Sequence, residues 1–356
     1  MKKKRLAWID LTKGLLMIFV VIGHYPGELN FPLSKYIYWF HMPAFFIMSG
    51  LFFKPLLEKG TMLKGVKKRF MQLIVPYLFF VVLITVTRYG MEIGYGNTDL
   101  SWYLNDLWKI VIGGRFVRGA YGVFWFVTTM FFSFIIFTLI TKYLSRGKQL
   151  ALLVVFYLIA HIESLFVMQV IDGSTVESAQ SIPVLWNVDV ALMAVVYLAI
   201  GYYGKEFWMK ITNRVWLGAI SIVVLALVAD QMGWIDYELS MKFLNYEHFA
   251  LDFIIPVTFT IVLIGLFQRV AMKMELSVLQ RIQKHSISIM YLHIFADIVL
   301  NDFFTYGLIG YTLIGIVVPI CISILIEKTV PFGQVLLGGY RPKERSKKVS
   351  RLRINK

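Results

Sequence analysis

Asp10, Lys13 and His24 lie within one apolar stretch close to the start of the chain. An ionisable side chain in such a stretch is costly, and its retention points to function. Lys13 and His24 are 11 residues apart, a spacing that puts them on one stripe of a helix, roughly 16 Å apart along its axis. Asp10 precedes Lys13 by three positions, close enough to pair with it. The helix therefore presents an ion pair near one end and an imidazole near the other. The ion pair has two readings, the mouth of a site or a tie between helices. The next apolar stretch reads Phe40-His41-Met42-Pro43-Ala44-Phe45-Phe46, then Ser49-Gly50. Running antiparallel to the first, it brings His41 to the depth of His24. Pro43 should free a carbonyl and kink this helix, which demands a buried or wet environment. Imidazole titrates near neutrality, so the two histidines suit proton transfer to or from a reacting group. Two histidines also begin a metal site, but no third ligand follows at diagnostic spacing, and no metal is expected.

His161 with Glu163, Asp189, Asp252, and His293 with Asp297 fall in apolar stretches too. One water-filled or substrate-lined cavity accounts for them more economically than separate lipid-facing defects. A histidine alone on an apolar helix is by default a satisfied structural residue, and His161, His248 and His285 are read so.

The elements that must position these groups follow from composition. Hydrophobic residues make up 58% of the chain, charged residues only 16%, and the mean hydropathy is +0.69. One core could not bury that much apolar surface, so the solvent is a bilayer. Apolar stretches at 6–25, 34–53, 70–88, 121–141, 149–168, 184–204, 213–230, 249–268, 286–304 and 307–327 each approach the roughly 20 residues that span hydrocarbon. Lipid offers no partner to a bare amide, so all must be helical. The expected fold is an all-α, polytopic integral membrane protein of about ten transmembrane helices. The start Met1-Lys2-Lys3-Lys4-Arg5 mimics a secretion signal. No small-residue cleavage site follows, and it reads as a retained first helix.

The net charge of +15 does not point to nucleic acid, because the basic residues sit in short blocks between apolar stretches. With a cytoplasmic amino terminus, inner segments hold 29 of the 36 Lys and Arg, and outer segments six. That bias predicts both termini inside. The inner block with Lys64, Lys67, Lys68 and Arg69 is either a topology signal beside anionic lipid or a landing site for a phosphorylated cofactor. The outer segment 89–120 carries Trp102, Trp108, Arg115 and Arg118. It is expected to lie at the membrane interface and to roof a site. Cys321 stands alone and reads as an inert buried thiol. No internal repeat of the kind that marks many transporters is visible.

The run Trp8-Ile9-Asp10-Leu11-Thr12-Lys13-Gly14, then Val20-Val21-Ile22-Gly23-His24, Phe40-His41-Met42-Pro43, Phe45-Phe46 and Ser49-Gly50 resembles the amino-terminal signature of membrane-bound acyltransferase family 3, in the branch that resembles fucose 4-O-acetylases. The family's basic residue, ten intervening residues and histidine fall on Lys13 and His24. Lysine stands where many members carry arginine, which loses a planar fork for phosphate or carboxylate. Gly122-Val123-Phe124-Trp125-Phe126 resembles the aromatic motif opening a middle helix, and Ser286 to His293 a late serine–tyrosine–histidine segment.

The resemblance implies transfer of an acyl group, usually acetyl from cytosolic acetyl-CoA, to a carbohydrate hydroxyl of the envelope or its lipid-linked precursor. His24 would be the base or an acyl carrier, and His41 would orient it or donate to the oxyanion. Asp10 and Lys13 would hold the inner mouth, with Lys13, Lys64, Lys67, Lys68 and Arg69 near the phosphates of acetyl-CoA. Arg115, Arg118, Trp125 and His293 would meet the acceptor. A transmembrane acyltransferase domain over 1–340 in the cell membrane, followed by a basic, disordered cytoplasmic tail over 341–356, is the implied organisation. The rivals are a transporter or flippase of a glycan or lipid-linked intermediate, and a non-catalytic assembly subunit. Acceptor identity, acyl chain length and oligomeric state are not fixed by the residues.

Overall fold

The computed structural model describes residues 6–27, 32–56, 61–170, 182, 184–246 and 248–339, without the side chains of 168–170. Lys2–Arg5, Lys59, Asp172, Glu177 and the tail 341–356 with its expected disorder lie outside the described residues. The chain is an all-α, polytopic membrane protein. Its helices are α1 Ala7–Gly23, α2 Leu33–Tyr38, α3 His41–Gly50, α4 Thr61–Gly94, α5 Leu100–Ile112, α6 Trp125–Tyr143, α7 Arg146–Val170, α8 Ala191–Tyr203, α9 Lys205–Met209, α10 Asn213–Gln231, α11 Leu251–Val270, α12 Ser277–Lys284, α13 Ser286–Leu300, α14 Leu308–Thr329 and α15 Gly333–Leu336. The only sheet among the described residues is a two-stranded antiparallel clip, β1 Leu239–Ser240 on β2 Asn245–Tyr246, with Leu239 opposite Tyr246.

Among the described residues, seven helical stretches are long and apolar enough to cross a membrane: Thr61–Gly94, Gly119–Tyr143, Arg146–Val167, Leu185–Tyr203, Asn213–Gln231, Leu251–Val270 and Leu308–Thr329. The remaining three expected spans are short or broken. α1 has 17 residues, α13 has 15, and the second expected span is divided into α2 and α3. Each of these carries one of the three histidines that meet at the site described below.

Four expectations need correction. The first concerns Pro43, which does not kink a continuous helix. It occupies the first turn of α3, where a missing N–H costs nothing. The break falls before it, at Trp39–Phe40, because Pro43 has no N–H to give the Trp39 carbonyl. The second concerns the basic block, expected in a loop; Lys64 to Arg69 form the opening turns of α4. The third concerns the form of the segment 89–120 and not its expected place: it is the end of α4 followed by helix α5. Leu100, Leu104, Leu107, Trp108 and Val111 make one exposed stripe on α5, as on a helix lying in a membrane interface. The Arg88–Asp106 pair at 3.0 Å ties α5 to α4. The fourth concerns Cys321, which is exposed on α14.

Close packing at glycines brings the short helices into register. A Cβ on Gly50 would stand 1.9 Å from the Leu198 carbonyl, and one on Gly201 would stand 1.8 Å from the Ile47 carbonyl. Helices α3 and α8 therefore cross backbone to backbone, as small residues allow inside a membrane. Gly14 lets α1 approach α12 in the same way, since its Cβ would stand 2.3 Å from the Leu279 carbonyl.

Candidate active site

α1 ends at Gly23, so His24 occupies its C-cap, with the Tyr311 hydroxyl donating to the His24 carbonyl at 2.9 Å. The His24 Nδ1 lies 2.7 Å from the Val20 carbonyl. A carbonyl can only accept, so Nδ1 carries the proton and the lone pair of the neutral ring resides on Nε2. The Tyr38 hydroxyl, from the last residue of α2, is 3.4 Å from that Nε2.

His41, the first residue of α3, repeats the arrangement: its Nδ1 donates to the Ile37 carbonyl at 2.8 Å across the helix break. Tyr38 stands between the two predicted histidines, its ring centroid 6.1 Å from His24 and 5.0 Å from His41. His293, on α13, meets His24 edge to face at 5.1 Å. Its Nδ1 donates to Ile289 and Met290 carbonyls, and its buried Nε2 has no hydrogen-bond partner. Three imidazoles thus share one tautomer, fixed by the local backbone.

His24, Tyr38 and His41 open on a cavity of about 360 Å³, walled also by Met17 and Val20 of α1, Trp125 and Phe126 of α6, and Met290 and Ile294 of α13. Its far wall is the clip around Leu239–Phe243, with Arg118 and Lys242. Lys242 is buried and donates to the Val117 carbonyl at 2.7 Å and the Gly122 carbonyl at 3.0 Å. It lies outside the spanning helices, where burial and then the nearby Arg118 lower its ammonium from the usual lysine range to about 7.

Arg115 is placed elsewhere. It is fully buried, ion-paired with Asp189, and its backbone N–H and Nε donate to Asn187 Oδ1 at 2.9 and 3.2 Å. Asn187 Nδ2 in turn donates to the Lys242 carbonyl at 3.1 Å. The knot requires glycine at 114, which has φ +60° and whose Cβ would stand 2.3 Å from Asn187 Oδ1. It joins three connecting segments over the cavity and holds the clip that carries Lys242.

A second cavity, about 240 Å³, opens where α4 begins, lined by Phe52, Phe53, Lys54, Lys68, Arg69, Phe134 and Thr138 among others. The Lys13 ammonium is 5.7 Å from the centre of the Phe52 ring, and the Arg69 guanidinium lies over Phe134 at 4.0 Å. Lys54, Lys68 and Arg69 thus line one pocket, and Lys13 is next to it through Phe52. Lys64 and Lys67 are exposed, and Asp10 is buried on α1. Among the described residues no group of three or more His, Cys, Asp or Glu comes together to hold a metal ion.

Two members of the first cavity escape sequence reasoning. Tyr38 has no distinguishing spacing, and its only signal is its position three residues before His41. Lys242 reads as one more loop charge.

Residues 6–328 match the family model described as an acyltransferase domain. Among curated proteins, the nodulation protein NolL of Mesorhizobium japonicum is 34% identical over 143 residues, 38% of this chain and 35% of NolL. NolL of Sinorhizobium fredii is 28% identical over 158 residues, 40% of each chain. The chain thus spans well under half the length of these relatives. No solved structure matches it significantly.

Proposed function

The chain belongs to this acyltransferase family, and from that premise we propose that it moves an acetyl group from cytosolic acetyl-CoA to a hydroxyl of a cell-envelope carbohydrate or its lipid-linked precursor, with His24 as general base. The observation that carries the reading is the Val20–His24 hydrogen bond at 2.7 Å. It dedicates Nδ1 to donation and leaves the Nε2 lone pair beside Tyr38, on the wall of a cavity large enough for a sugar. A sugar hydroxyl is a poor nucleophile at neutral pH. Nε2 would take its proton as the oxygen attacks the thioester carbonyl, the C–S bond breaks, and coenzyme A leaves as the thiol after receiving a proton. The Tyr38 hydroxyl, 3.4 Å from Nε2, and the His41 ring beyond it would steady the oxyanion or orient the base.

The second cavity supports the donor side of the reading. Lys54, Lys68 and Arg69 offer cations for diphosphate, with Lys13 behind Phe52, and Phe52, Phe53 and Phe134 offer apolar walls. Lys13 lies about two turns into α1 and His24 caps its far end, so the stretch between them would line the route from donor to acceptor. With both termini in the cytoplasm of a cell-membrane protein, the donor pocket faces the cytosol and the histidines face outward. Arg118 and Trp125 would meet the acceptor at the first cavity.

The test is transfer of labelled acetyl from acetyl-CoA by the purified full chain and its His24→Ala and His24→Gln variants. Activity in the parent with loss in both variants, at normal membrane insertion, is expected. Retained turnover in either variant removes His24 as the base. NMR of envelope polysaccharide from cells with and without the protein identifies the acceptor.

A further inference from the structure

Lys242 is a buried ammonium with no ion pair among the described residues. Its two hydrogen bonds go to neutral carbonyls, those of Val117 and Gly122, whereas an ammonium has three protons to give. Burying a cation against neutral groups alone is costly, and an apolar residue would fill the same space more cheaply. Lys242 also faces the cavity that His24 and His41 line, next to Arg118. Its backbone is pinned by Asn187. Arg118 also lines a further cavity with Lys109, Tyr121 and the Arg88–Asp106 pair.

We propose that Lys242 is a specificity-determining residue which binds a carboxylate or phosphate on the acceptor, close to the hydroxyl that is acylated. The acceptor is then an acidic or phosphorylated carbohydrate rather than a neutral one. This rests on the reading of the His24 cavity as the acceptor site. The third ammonium proton meets the anion, and the anion supplies a counter-charge that none of the described residues gives. A charge-assisted bond of this kind changes binding by about tenfold or more.

The experiment measures binding of glucuronate, glucose 6-phosphate, glucose and coenzyme A to the full chain in nanodiscs, by calorimetry. The parent, Lys242→Gln and Lys242→Arg are compared. Gln keeps an amide donor for the Val117 and Gly122 carbonyls, and Arg keeps the charge. The expected result is that the parent prefers glucuronate or glucose 6-phosphate to glucose. Which of the two it prefers separates a carboxylate from a phosphate. Gln should lose that preference about tenfold or more, and Arg should restore it. Equal binding of glucose and both anions by the parent overturns the proposal. So does unchanged anion binding in Lys242→Gln, or an equal loss for glucose. Weakened coenzyme A binding alone would assign Lys242 to the donor and also overturn it. Acetyl transfer by the parent is measured separately. Its absence, with the anion preference intact, would fault the reaction and leave the anion site standing.

Discussion

The His24 and His293 rings meet edge to face, 5.1 Å between centroids, although they come from opposite ends of the chain. His293 Nε2 is buried without a hydrogen-bond partner, and such a group costs a fold about 1–3 kcal/mol. In the proposed reaction, His293 would be kept at that cost for what it does beside His24. His293→Phe preserves ring and volume and removes the unpaired nitrogen. Thermal stability should hold or rise, while acetyl transfer falls about tenfold or more. A drop in melting temperature with turnover retained would make His293 a packing residue instead.

Gly201→Ala attacks the site from a distance. The new methyl would stand 1.8 Å from the Ile47 carbonyl, a backbone atom that cannot rotate away. Helices α3 and α8 would have to separate, and α3 begins with His41. A loss of about 3 kcal/mol or more is expected, read as a lower midpoint in thermal unfolding of the detergent-solubilised protein. Gly218→Ala is the control, because nothing lies within 4 Å of its Cβ position.

Seven of the ten expected spans were legible in the sequence because hydrocarbon imposes length and apolarity on a segment that crosses it. Lys13 and His24 were legible because a polar residue on α1 contrasts with its surroundings. Legibility failed where a residue's meaning depends on a distant partner. Arg115 has the look of a substrate-facing outer arginine, but Asn187 and Asp189, more than seventy positions away, enclose it. Lys242 has the look of a loop charge until the clip folds it against Val117 and Gly122. Pro43 was recognised as a disruption, yet its register relative to His41 decides that the helix starts afresh instead of bending.

Asn187 links the Arg115 knot to Lys242, accepting from one and donating to the carbonyl of the other. Asn187→Ala leaves the buried Lys242 carbonyl and Arg115 backbone N–H without that partner, at about 1–3 kcal/mol for each group. Lower thermal stability is expected, together with a smaller ratio of kcat/KM for an anionic acceptor to that for a neutral one. The ratio is the decisive reading, since general destabilisation moves both acceptors alike. An unchanged ratio would confine Asn187 to holding the fold.

The same ratio gives the pH dependence a definite sign. Burial, helped by Arg118, lowers Lys242 to about 7, so its ammonium is present below that pH and is lost as pH rises through it. A bound anion favours the charged form and moves the transition upward. Preference for the anionic acceptor should therefore be greatest on the acid side and decline above neutrality. Arg118 faces Lys242 across the same cavity. His24 and His41, on the same cavity, act on the reaction of both acceptors, so their titration cancels in the ratio. Lys242→Arg should hold the ratio flat and high at alkaline pH, because a guanidinium does not deprotonate there. Lys242→Gln should hold it flat and low across the range. A parent profile parallel to that of Lys242→Gln would mean that the ammonium does not meet the acceptor.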